Sequence, residues 1–537
     1  MKTAWLRINQ AGYTPEREKT AAVLSETDIS GAVWTLKING ATVLEGRLSS
    51  PGRGDDFHVA QDFYYAIDFG AATSPGTYIL ELENAAPQKI IIAENPYALF
   101  AQQALSHLRR MRSGCATDLT AASHPGDAAA IVHTSDGDWQ NGAWKEAVPR
   151  RFVDMHGGHY DAGDYIKFTL TEANMVWHLL RAYEENSALF ADSAVLPAVL
   201  DEAKYGLDYL AKTFPDADTF VIQVGDARDH HEERRLAEND ALDGKRPALC
   251  ALSRVHMGMT AAALALGACT FEKINPAAAA LYREKAEAIY ARAKKSDTQT
   301  SAFERDKVND FYFDRTDADN MALAAAELHR LTGNPEYLAD GKSFAPPASF
   351  RVSWSEMNGF ANHRLAQSGD AAAAERLREE VSRYDCSNLW RIPNTGYTWG
   401  SLPIWTGVAN VHFLARRLDG DMSQPAMFSG VLDYIFGRNN WGVAMICSPD
   451  LPCAVKNMYS WITQVLGKTA VGALSEGPGK KETHDKLSEY FSNPANDPGE
   501  KFNTSEAVFY DNSNDFMIQE STIWGQGNLI LTLALAT

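Results

Sequence analysis

The sequence predicts a two-domain chain, a small all-β sandwich followed by a large all-α domain, and three observations carry that expectation. The 537 residues exceed what one hydrophobic core usually accommodates. Residues 1 to about 92 hold short apolar runs punctuated by turn dipeptides. From Asn95-Pro96 onward, alanine-rich helical spacing takes over and continues to the end. The domains are therefore placed at 1–94 and 95–537.

In the first domain, the runs Ala32–Ile38, Thr42–Leu44 and Phe63–Phe69 are separated by turn pairs such as Asn39-Gly40, Pro51-Gly52 and Pro75-Gly76. Thr77–Glu83 alternates apolar and polar residues, as a strand buried on one face does. Several short strands with regular turns suggest a sandwich of immunoglobulin type. In the second domain, Ala98–Arg110, Glu172–Glu185, Ala198–Lys212, Val255–Ala268, Pro276–Lys294, Asp319–Leu331, Ser355–Ala366, Ala372–Arg383, Leu402–Leu418, Pro425–Phe436 and Thr522–Ala536 have apolar residues at helical spacing. So many helices with no fixed-period repeat favour a closed α/α toroid, an (α/α)6 barrel, over an open solenoid. Long segments rich in Gly, Asn, Asp and aromatics lie between them, at about 111–170, 213–250, 296–318, 385–401 and 438–520. Loops of that length are usually functional, so the chemistry is expected there.

Composition narrows the function. Hydrophobic content of 45% and charged content of 22% are those of a soluble globular protein, and no stretch is apolar enough for a membrane helix. Sixty-nine acidic against 50 basic residues give a net charge of −19, which disfavours nucleic acid and anionic membranes as partners. The opening MKTAWLRINQAGY has no apolar signal region, so a cytoplasmic monomer is expected, or a secreted protein if a leader has been removed. Six cysteines without a CxxC pair argue against a disulfide framework, and Cys250 and Cys269 read as small core hydrophobes.

Two segments have the composition of a catalytic site. In Gly157-Gly158-His159-Tyr160-Asp161-Ala162-Gly163-Asp164-Tyr165-Ile166-Lys167-Phe168, two carboxylates three residues apart flank a small turn and can hold and deprotonate one water. The competing reading is an acidic cap on the helix that follows. In Asn503-Thr504-Ser505-Glu506-Ala507-Val508-Phe509-Tyr510, a lone glutamate precedes apolar residues that would raise its pKa, as a general acid requires; alternatively it is a surface-loop glutamate. Trp354, Trp390, Trp399, Trp405, Trp441 and Trp461 offer flat faces for sugar rings, or pack in the core.

Together these segments resemble the family 9 glycoside hydrolases, cellulase-like inverting enzymes with an (α/α)6 barrel. GGHYDAGDYIKF is similar to the family's first signature and NTSE to its second. Ile8–Tyr13 resembles the start of the immunoglobulin-like domain that precedes many of these barrels. LDEAKYG at 200–206, QVGD at 223–226 with Asp229-His230, WGS at 399–401, DYIFG at 433–437 and GALSEGP at 472–478 resemble further family elements. The resemblance implies Asp164 as general base, Asp161 as the residue orienting the water, and Glu506 as general acid, with base and acid roughly 6.5–9.5 Å apart. Trp399, His133, Tyr510, Lys456 and Tyr459 are the expected sugar-binding residues.

Two departures matter. Relatives with the immunoglobulin-like domain hold a structural zinc, and Cys115 and His133 match two of its ligands. Val132 and Tyr160 stand at the others, so the zinc site is expected to be lost, with His124 or His159 the alternatives and a looser 111–160 segment the consequence. Calcium is common in the family, but no ligand set stands out. Residues 448–461 also lack the family's His-His-Arg element, which leaves Lys456, Asn457 and Tyr459 for substrate contacts. The implied function is an endo-β-1,4-glucanase on β-linked polysaccharide or oligosaccharide. The alternatives are an exo-acting glycosidase on glucosamine oligomers and a non-catalytic sugar-binding protein.

Overall fold

The computed structural model describes residues 4–54, 58–134, 144–191, 196–231, 234–239, 245–296, 312–494 and 497–537. Most of the loop expected at 296–318 lies outside them.

The first domain has eight strands: β1 (Ala4–Arg7), β2 (Thr20–Ser25), β3 (Val33–Ile38), β4 (Ala41–Arg47), β5 (Gly52–Arg53), β6 (Phe63–Asp68), β7 (Gly76–Leu82) and β8 (Gln88–Ile92). They form two antiparallel sheets, ordered β1-β2-β6-β5 and β4-β3-β7-β8. Leu6, Val23, Leu36, Tyr65, Leu80 and Ile90 form the core of the sandwich. Asn39 and Gly40 both take positive φ, 50° and 81°, which gives the β3–β4 turn the twist a tight hairpin needs.

The sandwich is fastened to the second domain by a buried polar knot. Arg17 Nη2 and Asn9 Nδ2 both donate to Asp433 Oδ1, at 2.7 and 2.9 Å, and the Gln10 backbone N–H donates to Phe436 O at 2.9 Å. Arg17 also donates to the Tyr97 hydroxyl. Ion and counter-ion are both sealed from water, so neither tolerates loss of the other.

The second domain opens with α1 (Ala98–Arg110), and a small sheet follows: β9 (Ala130–Thr134), β10 (Lys145–Glu146), β11 (Phe152–Val153) and β12 (Lys167–Phe168). Next come α2 (Thr169–Glu185), α3 (Ala198–Leu210), β13 (Val221–Val224), α4 (Ala227–His231), β14 (Pro247–Cys250), α5 (Arg254–Phe271), α6 (Pro276–Ala293), α7 (Ala318–Thr332) and α8 (Pro335–Phe344). Then follow α9 (Asn358–Gln367), α10 (Ala371–Ser382), α11 (Ser401–Leu418), α12 (Ala426–Ile435), α13 (Trp461–Gln464), β15 (Gly479–Lys480), α14 (Lys481–Phe491), β16 (Ala507–Val508), α15 (Phe516–Gln519) and α16 (Ile523–Ala536). Helices α2, α5, α7, α9, α11 and α16 each pack on the next, and α16 packs back on α2. Each has a second partner: α3 on α2, α6 on α5, α8 on α7, α10 on α9, α12 on α11 and α1 on α16.

All eleven expected helices are present. The sequence reading missed α8, a ten-residue helix whose apolar face, Tyr337, Leu338 and Phe344, is only partly buried. It also missed α14 inside the expected loop, a largely polar helix laced by Lys481–Asp485 and Glu482–Lys486 pairs. The sheet β10-β9-β14-β13-β12 was missed as well, because its longer central strands are short and buried on both faces and show no alternation. Trp390, Trp405, Trp441 and Trp461 are core residues, whereas Trp399 is exposed.

Replacing Asp433 with Ala leaves Arg17 buried without a counter-charge. It should cost about 3–5 kcal/mol in a chemical-denaturation measurement, and the double change Arg17→Leu and Asp433→Leu should recover most of that loss.

Candidate active site

The turn at 161–164 is held from beneath by three buried ionic groups. Lys167 Nζ lies 2.7 Å from Asp127 Oδ2 and donates to the carbonyls of Met155 and Gly157. Arg246 pairs with Asp127 at 2.7 Å and donates to Tyr165 O. The two cations hold the Asp127 carboxyl well below the usual range despite its burial. Two backbone bonds close the turn: Asp161 N donates to Ile166 O, and Ile523 N, at the start of α16, donates to Asp161 O. Phe168 is the N-cap residue of α2, with no side-chain cap bond, so the aspartates are not the helix cap that spacing alone suggested.

Both aspartates are buried, and they differ in what they touch. Asp161 accepts hydrogen bonds from Thr171 Oγ1 and the Tyr312 hydroxyl. Burial pushes it up to about 8, helped by the neighbouring charges of Asp164 and Glu520 and opposed by those hydroxyls. Asp164 accepts from Ile166 N at 3.1 Å, and its Oδ2 lies 2.6 Å from His230 Nδ1. The contact with Asp164 raises the His230 pKa against the effect of burial. His230 is delivered by the QVGD loop: Gly225 turns with φ +90°, and Asp229 anchors on Arg246.

The expected acid is not beside this pair. Glu506 is exposed just before β16, its backbone carbonyl bonded to Lys481 N. Among the described residues, no hydrogen bond or ion pair joins its carboxylate to either aspartate. The glutamate that does reach them is Glu520, which the sequence reading passed over. Its Oε1 accepts from Gly163 N at 2.9 Å, and a Cβ on Gly163 would stand 2.9 Å from that oxygen and 2.7 Å from Tyr459 O. Only glycine permits this approach. Glu520 is half-buried, and desolvation together with the Asp164 charge pushes it up to about 7, with Arg234 opposing. A second glutamate, Glu476, stands behind it, accepting from Thr522 Oγ1 at 2.9 Å and pushed up to about 8 by burial.

The remaining expected contacts divide. Trp399 is 44% exposed, and its ring lies 5.5 Å from Phe516, which in turn lies 5.7 Å from Tyr459. The Arg234 guanidinium covers the Tyr459 ring at 4.1 Å and donates to Gly163 O. Trp399 and Tyr459 thus line one surface beside the carboxyls. Tyr510 stacks on His484 instead, and Lys456 is exposed, its backbone N–H held by Asp511. His133 sits on β9 with Nδ1 3.0 Å from Ile131 O.

The residues around the expected zinc position are engaged with one another. The Tyr160 hydroxyl lies 2.6 Å from Ser123 Oγ and 2.5 Å from His124 Nδ1, and Val132 is fully buried. His159 is clamped between Glu172 and Glu202 at 2.9 and 2.8 Å. Among the described residues, no group of three or more His, Cys, Asp or Glu side chains could hold a metal ion.

Comparison with known proteins places this arrangement. The model of glycosyl hydrolase family 9 matches residues 97–533, and that of the cellulase N-terminal ig-like domain matches residues 1–86. Endoglucanase C of Cellulomonas fimi is 25% identical over 483 residues, covering 81% of this chain and 43% of the relative. Endoglucanase 3 of Oryza sativa subsp. japonica is 29% identical over 280 residues, 49% of this chain and 55% of the relative. The chain thus spans about half the length of these curated relatives. Among solved structures, a metagenome-derived glycoside hydrolase family 9 endoglucanase superimposes with a TM-score of 0.82 at 22% identity, covering 99% of both chains. A thermostable endoglucanase from Alicyclobacillus acidocaldarius gives 0.80 at 19% identity, again covering 99% of both.

The His159 clamp predicts a pH dependence of stability. Its folded pKa is raised to about 9 because the two glutamates outweigh burial. The stabilisation is therefore fully present below the ordinary histidine value near 6.5 and is lost as pH rises through about 9. Thermal midpoints measured from pH 6 to 10 should fall over that window, and His159→Gln should flatten the fall.

Proposed function

The chain belongs to glycosyl hydrolase family 9, and from that premise we propose that it hydrolyses β-1,4-linked glucan with inversion at the anomeric carbon, using Glu520 as the general acid. The observation that carries this reading is the carboxyl group formed by Asp161, Asp164 and Glu520 around Gly163. Asp164 takes the proton of a water that Asp161 helps to orient. Burial pushes Asp161 up to about 8, and Asp164, 2.6 Å from His230 Nδ1, is the member of the pair given the proton-accepting role. Glu520, pushed up to about 7, keeps its proton near neutrality and delivers it to the departing glycosidic oxygen. The names of the curated relatives support the glucan reading, and the exposed Trp399 face suits a sugar ring. The six inner and six outer helices are read as a closed (α/α)6 barrel with this site at one end.

Two metals are implied by the family, and they fare differently. Zinc does not fit, because Val132 cannot ligate and Tyr160, His124 and His159 are held by other partners; no step involves it. A hard cation such as calcium fits better beside Asp314 and Asp319. Both are buried, and among the described residues Asp319 Oδ1 and Asn320 Oδ1 take no hydrogen bond. Such an ion would brace the segment that carries Tyr312.

Replacing the acid tests the assignment. Glu520→Gln should lower kcat/KM on cello-oligosaccharides by about 10²–10⁴-fold, with partial recovery on aryl glycosides whose leaving group needs no proton. Glu506→Gln should stay within about threefold of the parent, as expected for an exposed residue away from the reacting bond. The reverse result would return the role to Glu506. The activity of the parent should fall as pH rises through about 7, where Glu520 loses its proton. NMR of fresh product should show the α anomer first; initial β product would exclude inversion.

A further inference from the structure

Strand β1 has two faces by its alternation. Ala4 and Leu6 point into the sandwich core, whereas Trp5 and Arg7 point the other way, onto the second domain. There Trp5 meets the Phe502 ring edge-on at 5.2 Å, and the Arg7 guanidinium lies over the same ring at 4.4 Å. Arg7 is 9% exposed, and its Nε and Nη2 are buried without a hydrogen-bond partner. Burial lowers its pKa to about 10. Lys501 Nζ stands 4.3 Å from the Trp5 ring and 5.1 Å from that of Phe502, so two cations share one aromatic pair. Among the described residues, no carboxylate forms an ion pair with either. A buried charge with no counter-charge is costly, and this one stands in a chain of net charge −19.

The edge of that guanidinium lies beside a thiol. Gly442 has φ +66°, and a Cβ there would stand 2.2 Å from Arg7 Nη1, so Nη1 rests against bare backbone. Gln10 ties this backbone to Cys453. Its Nε2 donates to Gly442 O at 3.1 Å and to Cys453 O at 3.2 Å, and its Oε1 accepts from Cys453 N at 2.9 Å. Of the six cysteines, all among the described residues, Cys453 is the exposed one. The charge of its thiolate form acts on Arg7 and opposes the effect of burial there. An exposed thiol beside a cation that lacks a partner is a setting for selective thiol–disulfide exchange, because the thiolate is the nucleophile and an anionic reagent is drawn to the cation.

We propose that Cys453 is a modification site that takes up an anionic low-molecular-weight thiol as a mixed disulfide, with a carboxylate of the incoming group paired to Arg7 at Nη1. The Cys453 sulfur, its proton given to solvent, attacks one sulfur of the incoming disulfide. A new S–S bond forms as the old one breaks, and the other half departs as a thiolate with the bonding electron pair. The arriving disulfide is itself the oxidant. The selectivity is electrostatic: Arg7 and Lys501 draw an anion to a place where the chain as a whole repels it. The adduct lies on the seam between the two domains, where Gln10 and Arg7 both meet the 442–453 segment.

The experiment treats the full chain at low ionic strength with oxidised glutathione, an anionic disulfide, and with cystamine, a cationic one. Adduct formation at Cys453 is followed by peptide mass spectrometry, and each rate is divided by that of a small reference thiol. The parent should favour oxidised glutathione at Cys453 by about threefold to tenfold, the scale of one or two charge interactions at a wet surface. Arg7→Met keeps a side chain on Phe502 and should turn the preference towards cystamine, as the net charge of −19 dictates. Lys501→Gln should weaken the preference in part. Salt at about 1 M should erase it, since charges are then screened over roughly 3 Å. A parent without the preference, a preference unchanged in Arg7→Met, or one that survives the salt overturns the proposal. Should Arg7→Met fail to fold, the parent's preference, the salt series and Lys501→Gln decide the matter without it.

Discussion

The site depends on a buried ionic triad. Asp127, Lys167 and Arg246 are each about 1% exposed, and all three reach the segment that carries the catalytic turn. Beyond their shared carboxylate, the two cations are met by the carbonyls of Met155, Gly157 and Tyr165. That arrangement fixes backbone rather than side chain. It is why two aspartates separated by Ala-Gly, a flexible sequence in isolation, keep one geometry. The same arginine reaches Asp229, so the loop that brings His230 to Asp164 shares its foundation with the turn it serves.

Above that foundation the charges are less evenly matched. In the floor each carboxylate meets a cation, Asp127 with Lys167 and Arg246 and Asp229 with Arg246, whereas the cleft has four carboxyls against Arg234 and His230 among the described residues. Desolvation and mutual repulsion therefore raise Asp161, Glu476 and Glu520 above the usual carboxyl range, while Asp164 is the one of the four that meets His230. Acid and base behaviour at neutral pH thus follows from the surroundings of chemically similar groups.

Much of the fold was legible in the sequence because it is written in periodicity. The helices that bury a continuous stripe were located, and the β sandwich declared itself through turn pairs such as Asn39-Gly40. What escaped was structure with weak contrast: α8 is short and only partly buried, α14 is largely polar, and β13 and β14 are buried on both faces. Site residues followed the same division. Asp161 and Asp164 drew attention because a dense local motif surrounds them. Glu520 was missed because its neighbours in sequence, Gln519 and Ser521, mark nothing. Its meaning comes from Gly163, 357 residues away. Glu506 was favoured because an Asn-x-x-Glu pattern is a short signal that an exposed loop satisfies equally well. The tryptophans show the same limit, since composition cannot separate Trp399 from the buried Trp390 and Trp405.

The bond from Ile523 N to Asp161 O has a consequence for how the protein comes into being. It joins residues 362 apart, counted as 523 minus 161, and α16 is wedged between α2 and α11. During synthesis the first catalytic segment emerges long before the helix that closes over it. Several hundred residues must wait with the inner faces of α2 and α11 uncovered. The sandwich and the early helices can pack as they appear, but the active centre is assembled last, in one closing step. The packing of α16 between α2 and α11 and the joining of the two carboxyl segments are therefore the same event.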